Sequence, residues 1–218
     1  MQRALVFAGG DPPPAELLAD LDRSALVIAA DSGLDHALAL GVRVDVVVGD
    51  LDSVTPDALA RARDSGADVE PHPAEKDETD LELALRRAVA LGVERVTVIG
   101  GGGGRHDHLL ANALVLGHDD YAELELDALV GTARLTVIRD RAELRGTAGS
   151  FLSLLPLGGP ARGVRTEGLR YPLLDEELAP GTTRGVSNEL LVPVAVVSLR
   201  EGVLLAVQPD ALSFTSEA

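Results

Sequence analysis

Residues 79–101, TDLELALRRAVALGVERVTVIGG, decide the fold. The first part has the local signature of a helix. Thr79 and Glu82 form a T-x-x-E capping box, and Leu81, Leu85, Ala88 and Leu91 recur on one face. RVTVIGG (95–101) then predicts a buried strand that ends in glycine. The same alternation extends both ways along the chain. Upstream, strands are predicted at ALVFAGG (4–10), ALVIAADSG (25–33) and VDVVVGDLDS (44–53). Helices are predicted at PPPAELLADLD (12–22), LDHALAL (34–40) and TPDALARARDSG (55–66), the last with Thr55 as cap, Pro56 at the first position and Gly66 past the end. Downstream, HDHLLANALVLG (106–117) is a further helix. Apolar strands alternating with helices specify a parallel sheet covered on both faces.

After about residue 122 the rhythm changes. LELDALVG, ARLTVIRD, SFLSLLPLG, NELLVPVAVVSLR and GVLLAVQP read as short strands separated by Gly/Pro turns. The expectation is an α/β domain over residues 1–139 and an all-β domain over 140–218, with no repeat or low-complexity linker between them.

Composition narrows the function classes. An apolar content of 46% indicates a globular chain, and the absence of cysteine excludes disulfides, thiolate metal sites and thiol nucleophiles. A net charge of −16 argues against nucleic-acid and anionic-membrane partners, which need basic patches. No apolar run approaches the roughly 20 residues that span a bilayer, and MQRALVFAGG lacks the layout of a signal peptide. The expected setting is cytoplasmic. All five histidines and sixteen of the twenty aspartates fall in residues 1–120, so the chemistry is expected there.

Four polar clusters stand at the predicted carboxyl ends of the parallel strands, the edge where open α/β sheets bind ligands. Asp31 lies in AADSG, which by itself reads as a turn and helix start. Asp50 and Asp52 lie two apart in VVGDLDSV; in an extended chain both carboxylates point to one side and repel unless a cation intervenes. Oxygen-only pairs of this kind suit Mg²⁺, which commonly carries substrate phosphate. Asp77 and Asp80 lie in EKDETD beside Lys76, the only lysine against eighteen arginines; helix-start chemistry alone also accounts for them. The fourth cluster is IGGGGGRHDHLLAN, where Gly102, Gly103 and Gly104 allow close backbone approach to phosphate and Arg105 offers a planar fork. It is neither a P-loop nor a G-x-G-x-x-G fingerprint, and His106 and His108 read as surface residues as readily as ligands. Acidic clusters plus a glycine/arginine loop point to a Mg-nucleotide enzyme.

The ordered series ADSG, GDLDS, KDETD, GGRHDH…N and GVSNE resembles the thiamine pyrophosphokinase family, over nearly the whole chain from Val6 to about Val207. The resemblance implies an α/β nucleotide-binding domain followed by a β-sandwich, assembled as a homodimer, that transfers pyrophosphate from ATP to thiamine and releases AMP. It implies that Asp50, Asp52 and Asp80 hold Mg²⁺ and the triphosphate, with Asp31 and Asp77 lining the same pocket. Arg105, Asp107 and His108, with the preceding glycines, would contact ATP, and Asn112 would brace their loop. Lys76 would reach a phosphate or a neighbouring carboxylate, and Thr79 would sit at the same edge as helix cap. Ser187 and Asn188 would lie near thiamine at a dimer interface; with no tryptophan in the chain, Tyr171 or a phenylalanine would supply an aromatic wall. Either Asp80 or Asp77 could take the hydroxyl proton. The competing readings are a pyrophosphokinase for 6-hydroxymethyl-dihydropterin, a D-x-D sugar transferase, and a non-catalytic nucleotide or thiamine sensor.

Overall fold

A computed structural model describes residues 1–19, 21–103 and 105–212. The chain is built on mixed β-structure with few helices, and its contacts divide into two compact units. The first comprises Met1–Val115 with Glu123–Gly131, the second Leu116–Ala122 with the chain from Thr132 onward.

In the first unit six strands run parallel: β1 (Arg3–Phe7), β2 (Leu26–Ala30), β3 (Val46–Gly49), β4 (Asp68–Pro71), β5 (Arg95–Ile99) and β6 (Glu125–Val130). Their order is β4-β3-β2-β1-β5-β6. Helices α1 (Gly33–Ala39), α2 (Pro56–Asp64), α3 (Asp80–Ala90) and α4 (His106–Val115) connect or follow them. The central strands are apolar at successive positions because helices cover them. Val6, Phe7, Ile28, Ala29, Val47, Val96 and Ile99 have no exposed surface, and α3 packs Leu85 and Ala88 against β1, β2 and β3. Thr55 and Thr79 cap α2 and α3, accepting from the amides of Ala58 and Glu82 at 3.3 Å each.

Three local outcomes differ from the sequence expectation. The PPPAELLADLD segment forms only a 3-10 turn over Ala15–Ala19 among the described residues. The turn closes from Leu17 N to Pro14 O at 3.1 Å, the i to i+3 bond of a 3-10 turn. Strand β4 carries no apolar run: it is a half-exposed edge strand, DVEP, ending in proline, so nothing in its pattern announced it. Strand β6, read as the first of the short strands after residue 122 although inside the expected 1–139 domain, pairs parallel to β5 and completes the first sheet.

Among the described residues of the second unit every strand pair is antiparallel: β7 (Ala133–Ile138), β8 (Arg141–Arg145), β9 (Phe151–Glu167), β10 (Leu174–Leu178), β11 (Asn188–Glu189), β12 (Val194–Ser198) and β13 (Glu201–Gln208). The 17-residue β9 is its spine, pairing with β13 along Ser153–Arg162 and with β12 along Arg165–Glu167. Leu144, Leu152, Leu154, Val164, Ala195, Val197 and Leu204 form its core. Among the described residues no helix is long and apolar enough to cross a membrane.

Leu85 has no exposed surface and fills the α3–sheet interface, whereas Val89 on the same helix is 44% exposed. Leu85→Ala is expected to cost about 2–5 kcal/mol in urea unfolding, and Val89→Ala to stay within about 0.5 kcal/mol. Equal losses would contradict this assignment of the helix's buried face.

Candidate active site

The acidic clusters meet at the carboxyl ends of β2 and β3. Asp31 follows β2 with φ of 47°, a left-handed conformation that aspartate tolerates. Its amide donates to Val48 O at 2.9 Å, which ties the turn after β2 to the end of β3. Gly49, with φ of 139°, ends β3; a Cβ there would stand 3.0 Å from Asp80 Oδ1 and 3.2 Å from Asp31 Cβ. Glycine at 49 therefore lets the start of α3 and the turn after β2 close around one point.

The chain does not stay extended past Gly49. Leu51 adopts φ of 62°, and Asp52 N donates to Asp50 Oδ1 at 3.3 Å. The two carboxylates are thus gathered by a tight turn rather than by strand alternation. Ligand atoms of Asp31, Asp50 and Asp52 lie within 4.8 Å of one another. Asp31 Oδ1 is buried and, among the described residues, has no hydrogen-bond partner. Oxygen-only donors at this separation, one of them an unpartnered buried carboxylate oxygen, fit a hard divalent cation.

Lys76 is the cationic counterpart within this cluster. Its Nζ donates to Asp50 Oδ2 at 3.3 Å and lies 3.1 Å from Asp80 Oδ1, and its side chain is only 12% exposed. Burial opposes its charge, yet hydrogen bonds and charges from Asp80 and Asp50 outweigh that and raise its pKa. The Asp52 amide and Lys76 hold the Asp50 carboxyl below the usual range. Burial pushes the Asp31 carboxyl up, and the charges of Asp80, Asp50 and Asp52 add to the rise against a backbone hydrogen bond at Ser32. Asp77 is exposed, and the Thr79 hydroxyl is occupied as helix cap.

The glycine loop follows β5. Gly100, Gly101 and Gly103 have positive φ, and Asn112 Nδ2 donates to Gly101 O at 3.3 Å. Gly104 lies outside the described residues. Arg105 turns its fork on Asp107, with Nε–Oδ1 at 2.9 Å and Nη2–Oδ2 at 2.6 Å, and so holds the Asp107 carboxyl well below the usual range. That pair is exposed, so its guanidinium can exchange the carboxylate for a phosphate. His108 is exposed in the first turn of α4.

In the second unit Asn188 is buried and its amide is consumed by the backbone of Tyr171: Nδ2 donates to Tyr171 O at 2.7 Å and Oδ1 accepts from Tyr171 N at 3.0 Å. Ser187 has φ of 57° and Tyr171 is 52% exposed. Asn188 thus presents the loop that carries the ring.

Sequence reasoning passed over the loop after β1. A Cβ on Gly9 would stand 2.5 Å from Ser32 Oγ, and one on Gly10 would collide with Gly102 O. His36 Nδ1 lies 3.2 Å from Ala8 O, tethering α1 to the same loop. The glycine pair before DPPP was the available signal.

Residues 18–126 match the family model described as thiamin pyrophosphokinase, catalytic domain, and residues 136–204 the one described as its vitamin B1 binding domain. A Bacillus subtilis protein named thiamine pyrophosphokinase is 27% identical over 95% of this chain and 99% of its own length. The solved thiamine pyrophosphokinase structure from Bacillus subtilis superposes with a TM-score of 0.83 at 24% identity, covering 95% of this chain and 98% of that one. The thiamin pyrophosphokinase structure from Geobacillus thermodenitrificans gives 0.78 at 28% identity, with 95% and 97% covered.

A raised Asp31 pKa means that the folded chain binds this proton more tightly than the unfolded one. The stabilisation this confers is full below the unfolded carboxylate range and is lost as pH rises through the folded pKa. In metal-free buffer, Asp31→Asn is therefore expected to unfold at higher urea than the wild type at pH 7, with the difference shrinking toward pH 4. A gain that grows on acidification would contradict the burial argument.

Proposed function

The chain belongs to the thiamine pyrophosphokinase family, and from that premise we propose how its residues carry the reaction. It is a thiamine diphosphokinase, moving a pyrophosphoryl group from ATP to the hydroxyethyl group of thiamine to give thiamine diphosphate and AMP. The thiamine hydroxyl oxygen bonds to the β-phosphorus, the bond from that phosphorus to the α–β bridging oxygen breaks, and AMP leaves with the electron pair. The observation that carries this reading is the gathering of Asp31, Asp50 and Asp52 within 4.8 Å at the strand ends, beside Lys76.

Asp50 and Asp52 would hold Mg²⁺ with Asp31 as third donor, the three gathered within 4.8 Å, in place of the Asp80 that the resemblance implies. When bound, the cation offsets charge on the triphosphate and the departing AMP. The chain's own residues do the rest. Lys76 favours the ionised form of Asp50 and positions the Asp50 and Asp80 carboxylates. We assign the hydroxyl proton to Asp80, half-buried at the start of α3, with the exposed Asp77 beside it as an orienting carboxylate. The glycine loop and Arg105, released from Asp107, contact the phosphates, with His108 nearby on α4.

In domain terms, residues 1–139 would form the α/β ATP-binding catalytic domain. Residues 140–218 would form a sandwich-like all-β domain serving thiamine binding and dimerisation. Apolar exposure at Phe151, Tyr171, Leu174, Val186, Leu191 and Val192 supports a second copy as partner, with Ser187 and Tyr171 facing thiamine. The expected setting is cytoplasmic. The match to a vitamin B1 binding description favours thiamine over a hydroxymethyl-pterin as acceptor.

Incubation with Mg-ATP and a panel of acceptors should give AMP with thiamine; release of ADP, or AMP only with a pterin, would overturn the reading. Asp80→Asn should lower the rate of AMP formation by about 10²-fold or more, and an unchanged rate removes Asp80 from the proton's path. Lys76→Arg should raise the apparent KM for ATP by about tenfold; unchanged kinetics would make a compact ammonium unnecessary there.

A further inference from the structure

The turns between β10 and β11 carry Ser187 to its place. Over residues 179–186 the chain makes two tight turns, with Thr182 N donating to Ala179 O at 3.2 Å and Val186 N to Thr183 O at 3.0 Å. Gly185 then lies flat on β9. Its carbonyl accepts from Leu154 N at 2.9 Å, and a Cβ there would collide with Leu154 O. Ser187 follows with φ of 57°, its amide donating to Ser153 Oγ at 3.1 Å, and Asn188 enters β11 opposite Leu152.

The two ends of this segment are held differently. At its exit Asn188 bonds the backbone of Tyr171, and Arg170 Nη1 donates to Glu189 Oε2 at 2.6 Å. At its entry the side-chain tether is Arg184. Arg184 Nε donates to Glu176 Oε2 at 2.9 Å and Nη2 to Oε1 at 2.8 Å, a two-pronged contact with β10. Among the described residues this is the one side-chain link that residues 179–186 make outside themselves, since the Thr182 hydroxyl turns back on Ala179 O.

We propose that Arg184 is a positioning residue for the acceptor: by gripping Glu176 it sets where Ser187 and the Tyr171 loop clamped to Asn188 stand, and so governs the fit of thiamine without touching it. The proposal rests on the reading above that Ser187 and Tyr171 face thiamine. An exposed ion pair with a single contact adds little, because two flexible side chains are ordered for one bond. A guanidinium fork on both carboxylate oxygens fixes orientation as well as distance. Arg184 and Glu176 are both partly exposed, so their pairing matters to the place of the turns more than to the stability of the fold. With the fork gone, Gly181, at φ of 80°, leaves the turns free to move. Ordering them again when the acceptor binds then costs affinity.

Steady-state kinetics of AMP formation, with thiamine and Mg-ATP varied separately, test this in the wild type, Arg184→Ala, Glu176→Gln and the double variant. The KM for thiamine should rise at least about threefold in each variant, while kcat and the KM for Mg-ATP stay within about twofold. Because both substitutions remove one tether, the double variant should lose no more than either single one. Arg184→Lys keeps the charge but cannot span both oxygens, and should fall between the wild type and Arg184→Ala. An unchanged KM for thiamine, an equal rise in the KM for Mg-ATP, or additive losses in the double variant would each overturn the proposal. If Arg184→Ala does not fold, a wild-type KM for thiamine in Arg184→Lys overturns it equally. Where the wild type makes AMP with thiamine, such results remove the positioning role alone. A wild type that makes no AMP with thiamine removes the acceptor reading, and this role with it.

Discussion

Mutual repulsion among carboxylates governs this molecule. Asp31, Asp50, Asp52 and Asp80 converge around Gly49, where a side chain would crowd two of them. Within a few ångströms and partly out of water, like charges raise one another's free energy. The fold accepts that cost at one place and offsets part of it with one half-buried lysine. The negative charge that Lys76 leaves uncompensated is what a divalent cation would relieve. Strained backbone at Asp31 and Leu51 belongs to the same arrangement, held by the strand-end hydrogen bonds around it.

Much of the fold was legible because its physics is local. The T-x-x-E start and the Leu81/Leu85/Ala88 face of α3 state a helix without reference to the rest of the chain, and Thr55-Pro56 does the same for α2. Apolar runs such as VVVG and RVTVI declare strands covered on both sides. What escaped depends on neighbours. Strand β4 exists because β3 offers it an edge, not because DVEP prefers to be extended. The parallel pairing of β6 with β5 is a topological fact that a strand-like pattern cannot state. The proline-led segment read as a helix entry, yet among the described residues it makes only a 3-10 turn over Ala15–Ala19.

For the candidate site, residue types were readable and their geometry was not. Asp50 and Asp52 meet, but by a turn at Leu51 rather than by alternation along a strand. Arg105 is engaged by Asp107, and the amide of Asn188 serves the backbone of Tyr171. Lys76 looked like an anomaly of composition and is the cation that bridges two of the acidic clusters. The glycine pair after β1 drew no notice because glycine after a strand is ordinary; its importance lies in contacts with Gly102 and Ser32 that only the assembled loops reveal.

The most direct test of this account is thermal unfolding with and without Mg²⁺ in the absence of nucleotide, for the wild type and Asp50→Asn. A cation bound only by the folded cluster raises the midpoint in proportion to RT ln(1 + [Mg²⁺]/Kd). The midpoint is expected to climb with Mg²⁺ in the wild type and barely to move in Asp50→Asn. Parallel climbs in both proteins, or none in the wild type, would contradict the claim that these carboxylates form a cation site.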